Sequence, residues 1–441
     1  MIATDTQRDL LCQNVSVRED GVLLFAGQDT AALAAQYGTP LYLMDEDRIR
    51  DRVRTYRDAL SEMFGAHGHV LYASKACSFK RIYEIMREEG AGIDVVSSGE
   101  IATALRAGFP LKNAYFHSNN KTDADIRYAI ENGIGYFVVD NAEELYAINE
   151  IAKDADICQQ VLLRLTPGID PHTYEAVATG KVDSKFGSAI ETGQAEEITR
   201  TALSLPHIAL MGFHCHVGSQ VFDADVYLAT VDIMLSFVAE MRARFGFVTK
   251  ILDLGGGLGV RYMPSDPHVD IAENIRRVGA RVHEKVREYD IPLPDICMEP
   301  GRSIVADAGM TLYTVGTHKH IPGYKDYLSV DGGMTDSPRF VLYGARYTLL
   351  PATRMFDTCD MLCSVVGRCC ESGDIIAEGV PMPSDMKRGD LIATLTTGAY
   401  HYSMASNYNR IPRPPIVMLA GGRSYLAVRR ETPEDVTSLD I

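Results

Sequence analysis

From about residue 40 the chain alternates between short apolar runs and longer segments with apolar residues at helical spacing. The short runs are "HVLYAS", "GIDVVS", "AYFHS", "GYFVVD", "VLLRLT", "LMGFHCHVG", "KILDLGG" and "DICMEPG". Between them lie segments such as "KRIYEIMREEGA", "TDADIRYAIENG", "AEELYAINEIAKD" and "IAENIRRVGARVHEKVREYD". A short apolar run bounded by turn residues reads as a strand covered on both faces. Apolar positions three and four apart, with charges between, read as an amphipathic helix. Eight such strand candidates separated by helices predict an α/β fold, a closed parallel (β/α)8 TIM-type barrel; a doubly wound open sheet is the alternative.

Beyond about residue 305 the texture changes. "GMTLYTVGTHKH", "YKDYLSVDGG", "DMLCSVVGRCC", "DLIATLTTGAY" and "RSYLAVRR" are strand-like runs split by Gly, Pro and Asp. They predict a second, mainly β domain of the sandwich or barrel kind. The expected division is 40–305 for the barrel, with 1–39 and 306–441 in the β domain. "GVLLFAG", ahead of the barrel, is available to add a strand to it.

A parallel barrel gathers its chemistry at the C-terminal ends of its strands. Lys75 follows the first predicted strand, and an ammonium at the end of a buried strand is costly to desolvate. A solvated strand-end lysine is one reading; an amine that forms an imine with a carbonyl compound, buried against its carbon partner, is the other. His214 and His216 end strand six, Gly255, Gly256 and Gly257 follow strand seven, and Glu299 follows strand eight, ahead of Pro300-Gly301-Arg302. These residues share one rim.

"LDLGGGLGV" is not a P-loop, since no Gly-Lys-Ser/Thr follows, and Val260 stands where a dinucleotide fingerprint needs its third glycine. Glycines at a strand end let backbone N–H groups approach an anion, and barrels often bind phosphate after strands seven and eight; a plain tight turn is the other reading. His214 and His216 share a strand face, as metal ligands do. In metal-dependent barrel hydrolases such a pair ends the first strand, with further ligands later, and those are missing here. No metal is expected, and a neutral imidazole stacked on a flat ring suits one of the two histidines better. An imine lysine, a phosphate nest, a stacking histidine and a carboxylate suit pyridoxal 5′-phosphate, which needs a partner for its pyridine nitrogen.

Composition narrows the class. The 441 residues carry a formal net charge of −16, so broad attraction to nucleic acid or anionic lipid is not expected. No apolar run is long enough to cross a bilayer, and "MIATDTQRDLL" has neither the basic nor the apolar part of a signal peptide. Nine cysteines, among them adjacent Cys369 and Cys370, suggest reduced thiols in a cytoplasm. "CDMLC" lacks the paired knuckles of a zinc site.

The chain resembles the fold-type III pyridoxal 5′-phosphate-dependent decarboxylases, most closely their diaminopimelate-decarboxylating branch. The resemblance rests on "YASKA", "GIDVVSSGEIATALRAGF", "GFHCHVGSQ", "LDLGGGLG", "EPGRSIVADAG", "VDGGMTDSPRFVLYGARY", "CCESGD" and "GAYHYSMASNYN", in this order. It implies that Lys75 is the Schiff-base lysine and that His216 packs on the cofactor ring. Ser219, Gly255 to Gly257 and Gly301 would lie at the phosphate, and Glu299 at the pyridine nitrogen. Arg302 would touch substrate or phosphate, and Tyr400 both cofactor and substrate. Arg339, Tyr343 and Glu371 would bind substrate, and Cys370 would donate the proton. It further implies a homodimer in which Cys370 completes the partner's site, and conversion of meso-diaminopimelate to L-lysine and CO2. Cys77, where many relatives have asparagine, and Phe340-Val341, where Pro-Ala is usual, depart from the pattern. The alternatives are a sister decarboxylase for ornithine, lysine, carboxynorspermidine or a carrier-bound amino acid, and a non-catalytic homologue that binds decarboxylase subunits. An alanine racemase fits less well, because that branch places arginine at the ring nitrogen.

Overall fold

The computed structural model describes residues 9–169 and 184–441, so the first eight residues of the N-terminal stretch lie outside it. Among these residues two compact units emerge: 51–169, 184–259 and 268–303 in one, and 9–50, 260–267 and 304–441 in the other.

In the first unit all eight predicted strands form. They span Gly68–Ala73, Gly92–Val95, Ala114–Phe116, Tyr136–Val139, Gln159–Thr166, Ile208–His214, Ile251–Asp253 and Asp295–Met298. Neighbours pair in parallel, and the eighth returns to the first through Ile296 opposite Gly68 and Met298 opposite Val70. The sheet is therefore a closed barrel, not an open one. Leu71, Tyr115, Val138, Leu162, Ile251 and Cys297, from six different strands, fill part of its interior. The helices sit where their periodicity places them, for example Lys80–Glu88, Asp123–Glu131 and Ala142–Asp154. Thr122 caps the second of these reciprocally with Asp125.

One helix was not anticipated, Glu46–Phe64. Its sequence is dominated by Arg, Asp and Glu, which hides a narrow stripe. Ile49, Val53, Tyr56, Leu60 and Phe64 are four, three, four and four apart, and all are buried.

The second unit is built on the strand Gly309–Ile321, which pairs antiparallel with Lys325–Val330, Leu391–Leu395 and Leu41–Asp45. Ile416–Ala420 adds to Leu41–Asp45 in parallel. Strand Leu41–Asp45, buried at all five positions, thus joins this sheet. "GVLLFAG" does not extend the barrel. Leu23–Phe25 pairs with Val15–Val17 and Gln28–Asp29, and Leu23 and Phe25 pack against Leu41, Leu43 and Leu312 in a core of this unit. A three-residue strand with both apolar ends already covered has nothing left to offer a barrel edge. Among the described residues no helix is long and apolar enough to cross a membrane.

Candidate active site

The barrel rim brings the polar strand ends together. Lys75 stands in a single 3-10 turn, Ser74–Ala76, directly after the first strand. Contrary to the burial expected of it, Lys75 is exposed, while Ser74 and Ala76 beside it are buried. The turn carries its ammonium past the apolar layer, so it keeps its contact with water.

Glu299 is buried at the end of the eighth strand. Its Oε1 lies 2.7 Å from Nε2 of His117, which follows the third strand. Its Oε2 accepts from Nε2 of His214, which ends the sixth, at 3.1 Å. The two imidazoles meet edge to face, centroids 4.9 Å apart. Burial alone would raise the Glu299 carboxyl; His117 and His214 more than offset it and hold the group well below the ordinary carboxylate range. Two further buried acids behave oppositely. Asp253, at the end of strand seven, is pushed well above its usual range by burial and by the Glu299 charge. Asp94, near the end of strand two, is pushed up to about 6 by burial, with His117 opposing. His216 is drawn well below the usual imidazole range by burial, then by the Lys75 and Arg164 charges, so its ring is neutral.

The glycines are there because backbones touch. A Cβ on Gly256 would stand 2.0 Å from the Glu299 carbonyl oxygen, and one on Gly257 2.1 Å from that of Gly218. Gly255 and Gly257 adopt φ of +68° and +113°, where side chains are strained. The Gly255 N–H is itself engaged, donating to Asp253 Oδ1 at 2.8 Å. Beside this nest Arg302 donates from Nε and Nη2 to the Ser219 hydroxyl at 3.2 and 3.0 Å. Gly301 packs against the first strand's end, where a Cβ would meet that of Ala73 at 2.9 Å. The cradle thus joins Ser219, Gly255 to Gly257, Gly301 and Arg302.

In the second unit a separate constellation forms. Arg339 opens the short helix Arg339–Tyr343 and is 8% exposed. Its guanidinium lies between two tyrosine rings, 5.2 Å from the centroid of Tyr343 and 5.1 Å from that of Tyr400. Its Nε has no hydrogen-bond partner, and among the described residues no carboxylate pairs with it. Tyr400 holds φ of +61°, a strained conformation for a tyrosine. Cys370 is an exposed free thiol whose N–H donates to Asn409 Oδ1 at 2.9 Å. Glu371 beside it is exposed. Asp374 ties their loop down: its oxygens accept from the N–H groups of Cys369 at 2.7 Å and Met334 at 2.6 Å.

His117, Asp94, Asp253, Arg164 and Asp374 are the polar residues sequence reasoning passed over. The first four each lie at or near the C-terminal end of a barrel strand, and that was the available signal. His117, His214 and Glu299 also form a set whose ligand atoms lie within 4.8 Å of one another. Both imidazole Nε2 atoms face the carboxylate oxygens, at 2.7 and 3.1 Å. Cys359, Cys363, Cys369 and Cys370 are free thiols.

Residues 46–306 match the family described as the pyridoxal-dependent decarboxylase, pyridoxal binding domain. The chain is 43% identical over 423 residues to the diaminopimelate decarboxylase of Bacillus subtilis (strain 168), covering 96% of each. A crystal structure of diaminopimelate decarboxylase from M. jannaschii in complex with L-lysine superposes with a TM-score of 0.88 at 31% identity, covering 97% of this chain and 98% of that one. The lysine/ornithine decarboxylase of Vibrio vulnificus with putrescine is more distant, with a TM-score of 0.74 at 27% identity, covering 88% and 96%.

Proposed function

Because the chain belongs to the diaminopimelate decarboxylase family of pyridoxal-dependent decarboxylases, we propose that it converts meso-diaminopimelate to L-lysine and CO2, closing lysine synthesis in the cytoplasm. The cofactor is pyridoxal 5′-phosphate, which supplies, when bound, a sink for the electron pair released as the C–CO2 bond breaks. The barrel rim fits it. An accessible amine, a backbone-lined cradle, a neutral imidazole and a buried anionic carboxylate are what such a group needs.

Lys75 would hold the cofactor through Nζ. Ser219, Gly255, Gly256, Gly257, Gly301 and Arg302 would hold its phosphate, and the His216 ring would pack on its flat face. Glu299 would hold a proton at the ring nitrogen. Cys370 would deliver its thiol proton to the substrate carbon that has lost CO2. Arg339, Tyr343, Glu371 and Tyr400, with Arg302 assisting, would bind the far end of the substrate. We place Cys370 in the site of a partner chain, in a homodimer with two shared sites.

One observation carries the substrate: Arg339, buried between two tyrosines without an anionic partner among the described residues. A buried guanidinium is stable when a carboxylate pairs with it, and its planar fork can hold one through two parallel hydrogen bonds. Meso-diaminopimelate keeps a carboxylate at its far end; ornithine and lysine have only an ammonium there. Leaving the guanidinium unpaired should cost about 2–5 kcal/mol, roughly a thirtyfold to several-thousandfold loss in kcat/KM. Arg339→Leu should erase most of that preference while the protein stays yellow. Equal kcat/KM on ornithine or lysine, or a preference that survives Arg339→Leu, refutes the assignment.

A further inference from the structure

We propose that His117 is a positioning residue: with His214 it fixes Glu299 as an anion and so keeps the shared proton on the cofactor's ring nitrogen. The inference rests on the reading that Glu299 faces that nitrogen.

The need for such a device follows from burial. Glu299 is 6% exposed. A carboxylate that faces a pyridinium in apolar surroundings tends to take the proton back, because a neutral pair costs less desolvation than an ionic one. Donors aimed at the charged form oppose this. Two imidazoles face the Glu299 carboxylate, one per oxygen and from widely separated strands: His214 Nε2 is hydrogen-bonded to Oε2 at 3.1 Å, and His117 Nε2 stands 2.7 Å from Oε1 in a close polar contact that a proton on Nε2 makes favourable to the anion. A carboxylate has about four lone-pair positions, so two imidazoles leave room for a ring N–H.

The chain also fixes His117 in place. Its N–H donates to the Val95 carbonyl at 2.8 Å, continuing the barrel ladder one residue beyond the strand. Just downstream, Lys121 is buried and donates through Nζ to the carbonyls of Ser118 at 3.2 Å and Val138 at 2.8 Å, and to Glu144 Oε1 at 2.7 Å. The segment "HSNNK" is thus pinned at both ends. The other charged groups around the pair are Asp94, Asp253, Lys75 and Arg164, the last a buried cation whose charge also acts on Glu299. Asp94 Oδ1 is 3.9 Å from its Nε2 and is an acceptor. Asp253 has one oxygen on the Gly255 N–H. Lys75 is exposed at the rim. Without His117, Glu299 loses one of the two imidazoles that favour its charged form, becomes more basic, and draws the proton from nitrogen to oxygen.

The test uses holoenzyme carrying cofactor with an isotopically labelled ring nitrogen, read by NMR. In wild type the nitrogen should be protonated between about pH 6 and 9. In His117→Phe its shift should move towards the unprotonated value, and kcat should fall about tenfold or more, the equivalent of one pKa unit, with KM changing less. His117→Gln, which keeps a donor near Nε2, should restore the shift and bring kcat to within about threefold of wild type. A wild-type shift in His117→Phe, or equal loss in Phe and Gln variants, overturns the proposal. Glu299→Gln separates the underlying reading: if it leaves the nitrogen shift unchanged, Glu299 does not face that nitrogen and both fall. A measurement independent of variant folding is the histidine ring NMR of wild-type holoenzyme. Hydrogen on Nε2 of both His117 and His214 is expected, and a bare Nε2 on His117 refutes the arrangement.

Discussion

Asp336 shows what a buried carboxyl does to the pH response of the fold. Its Oδ2 accepts from the Tyr313 hydroxyl at 2.5 Å and its Oδ1 from the Gly333 N–H at 3.0 Å. Burial pushes it up to about 7, although these bonds oppose the shift. The native state therefore holds this proton more tightly than the unfolded chain does. The resulting stability is complete below the ordinary carboxyl value and is lost as pH rises through about 7. Asp336→Asn removes the titration. Relative to this variant, wild type should lose on the order of 2–3 kcal/mol between about pH 5 and 8, read by urea unfolding at both. Parallel pH profiles would show that the carboxyl does not titrate there. At this scale the sequence revealed residues that are odd for their position, such as Lys75 and Glu299. It did not reveal Asp336 or His117, because an acid in a loop and a histidine after a strand are ordinary until their neighbours are known. Lys75 was legible as to place and not as to exposure, since the turn that lifts it out is a matter of backbone geometry.

Among elements, the loop after the third barrel strand is tied to the helix after the fourth by a buried ion pair. Lys121 and Glu144 are both buried, and Glu144 also accepts from the Asp140 N–H at 3.2 Å, bracing the start of helix Ala142–Asp154. Such a pair adds little over a well-packed apolar replacement, yet breaking it strands a charge. Lys121→Met should therefore destabilise by about 3–5 kcal/mol, and Lys121→Met with Glu144→Leu by less than that single change. Chemical denaturation of the three proteins checks this, and a double variant no more stable than Lys121→Met would sink the idea. The barrel strands were legible because parallel strands covered on both faces read as uninterrupted apolar runs. Helix Glu46–Phe64 was not, because Arg, Asp and Glu crowd its three exposed faces and leave one residue per turn to mark the fourth.

For the whole molecule, the barrel, a mainly β unit and the cofactor followed from alternating pattern plus rim chemistry. The assignment of Leu41–Asp45 did not, because its partners, Gly309–Leu312 and Ile416–Leu419, are remote in sequence and no local pattern names them. The shared-site proposal also belongs at this scale. Lys75→Ala and Cys370→Ala, each nearly inactive, should recover about a quarter of wild-type activity when mixed equally and allowed to exchange subunits. Half the dimers are then hybrids, each with one intact site. No recovery after verified exchange would refute sharing. The remote pairing of Leu41–Asp45 also bears on biosynthesis. As the chain leaves the ribosome, everything the barrel needs has been made by Ser303, whereas Leu41–Asp45 emerged early and has none of its sheet partners yet. The nascent polypeptide must carry that sticky apolar strand, unpaired, until Gly309–Leu312 has been made, and this is the stretch on which a chaperone would find its longest-lived foothold.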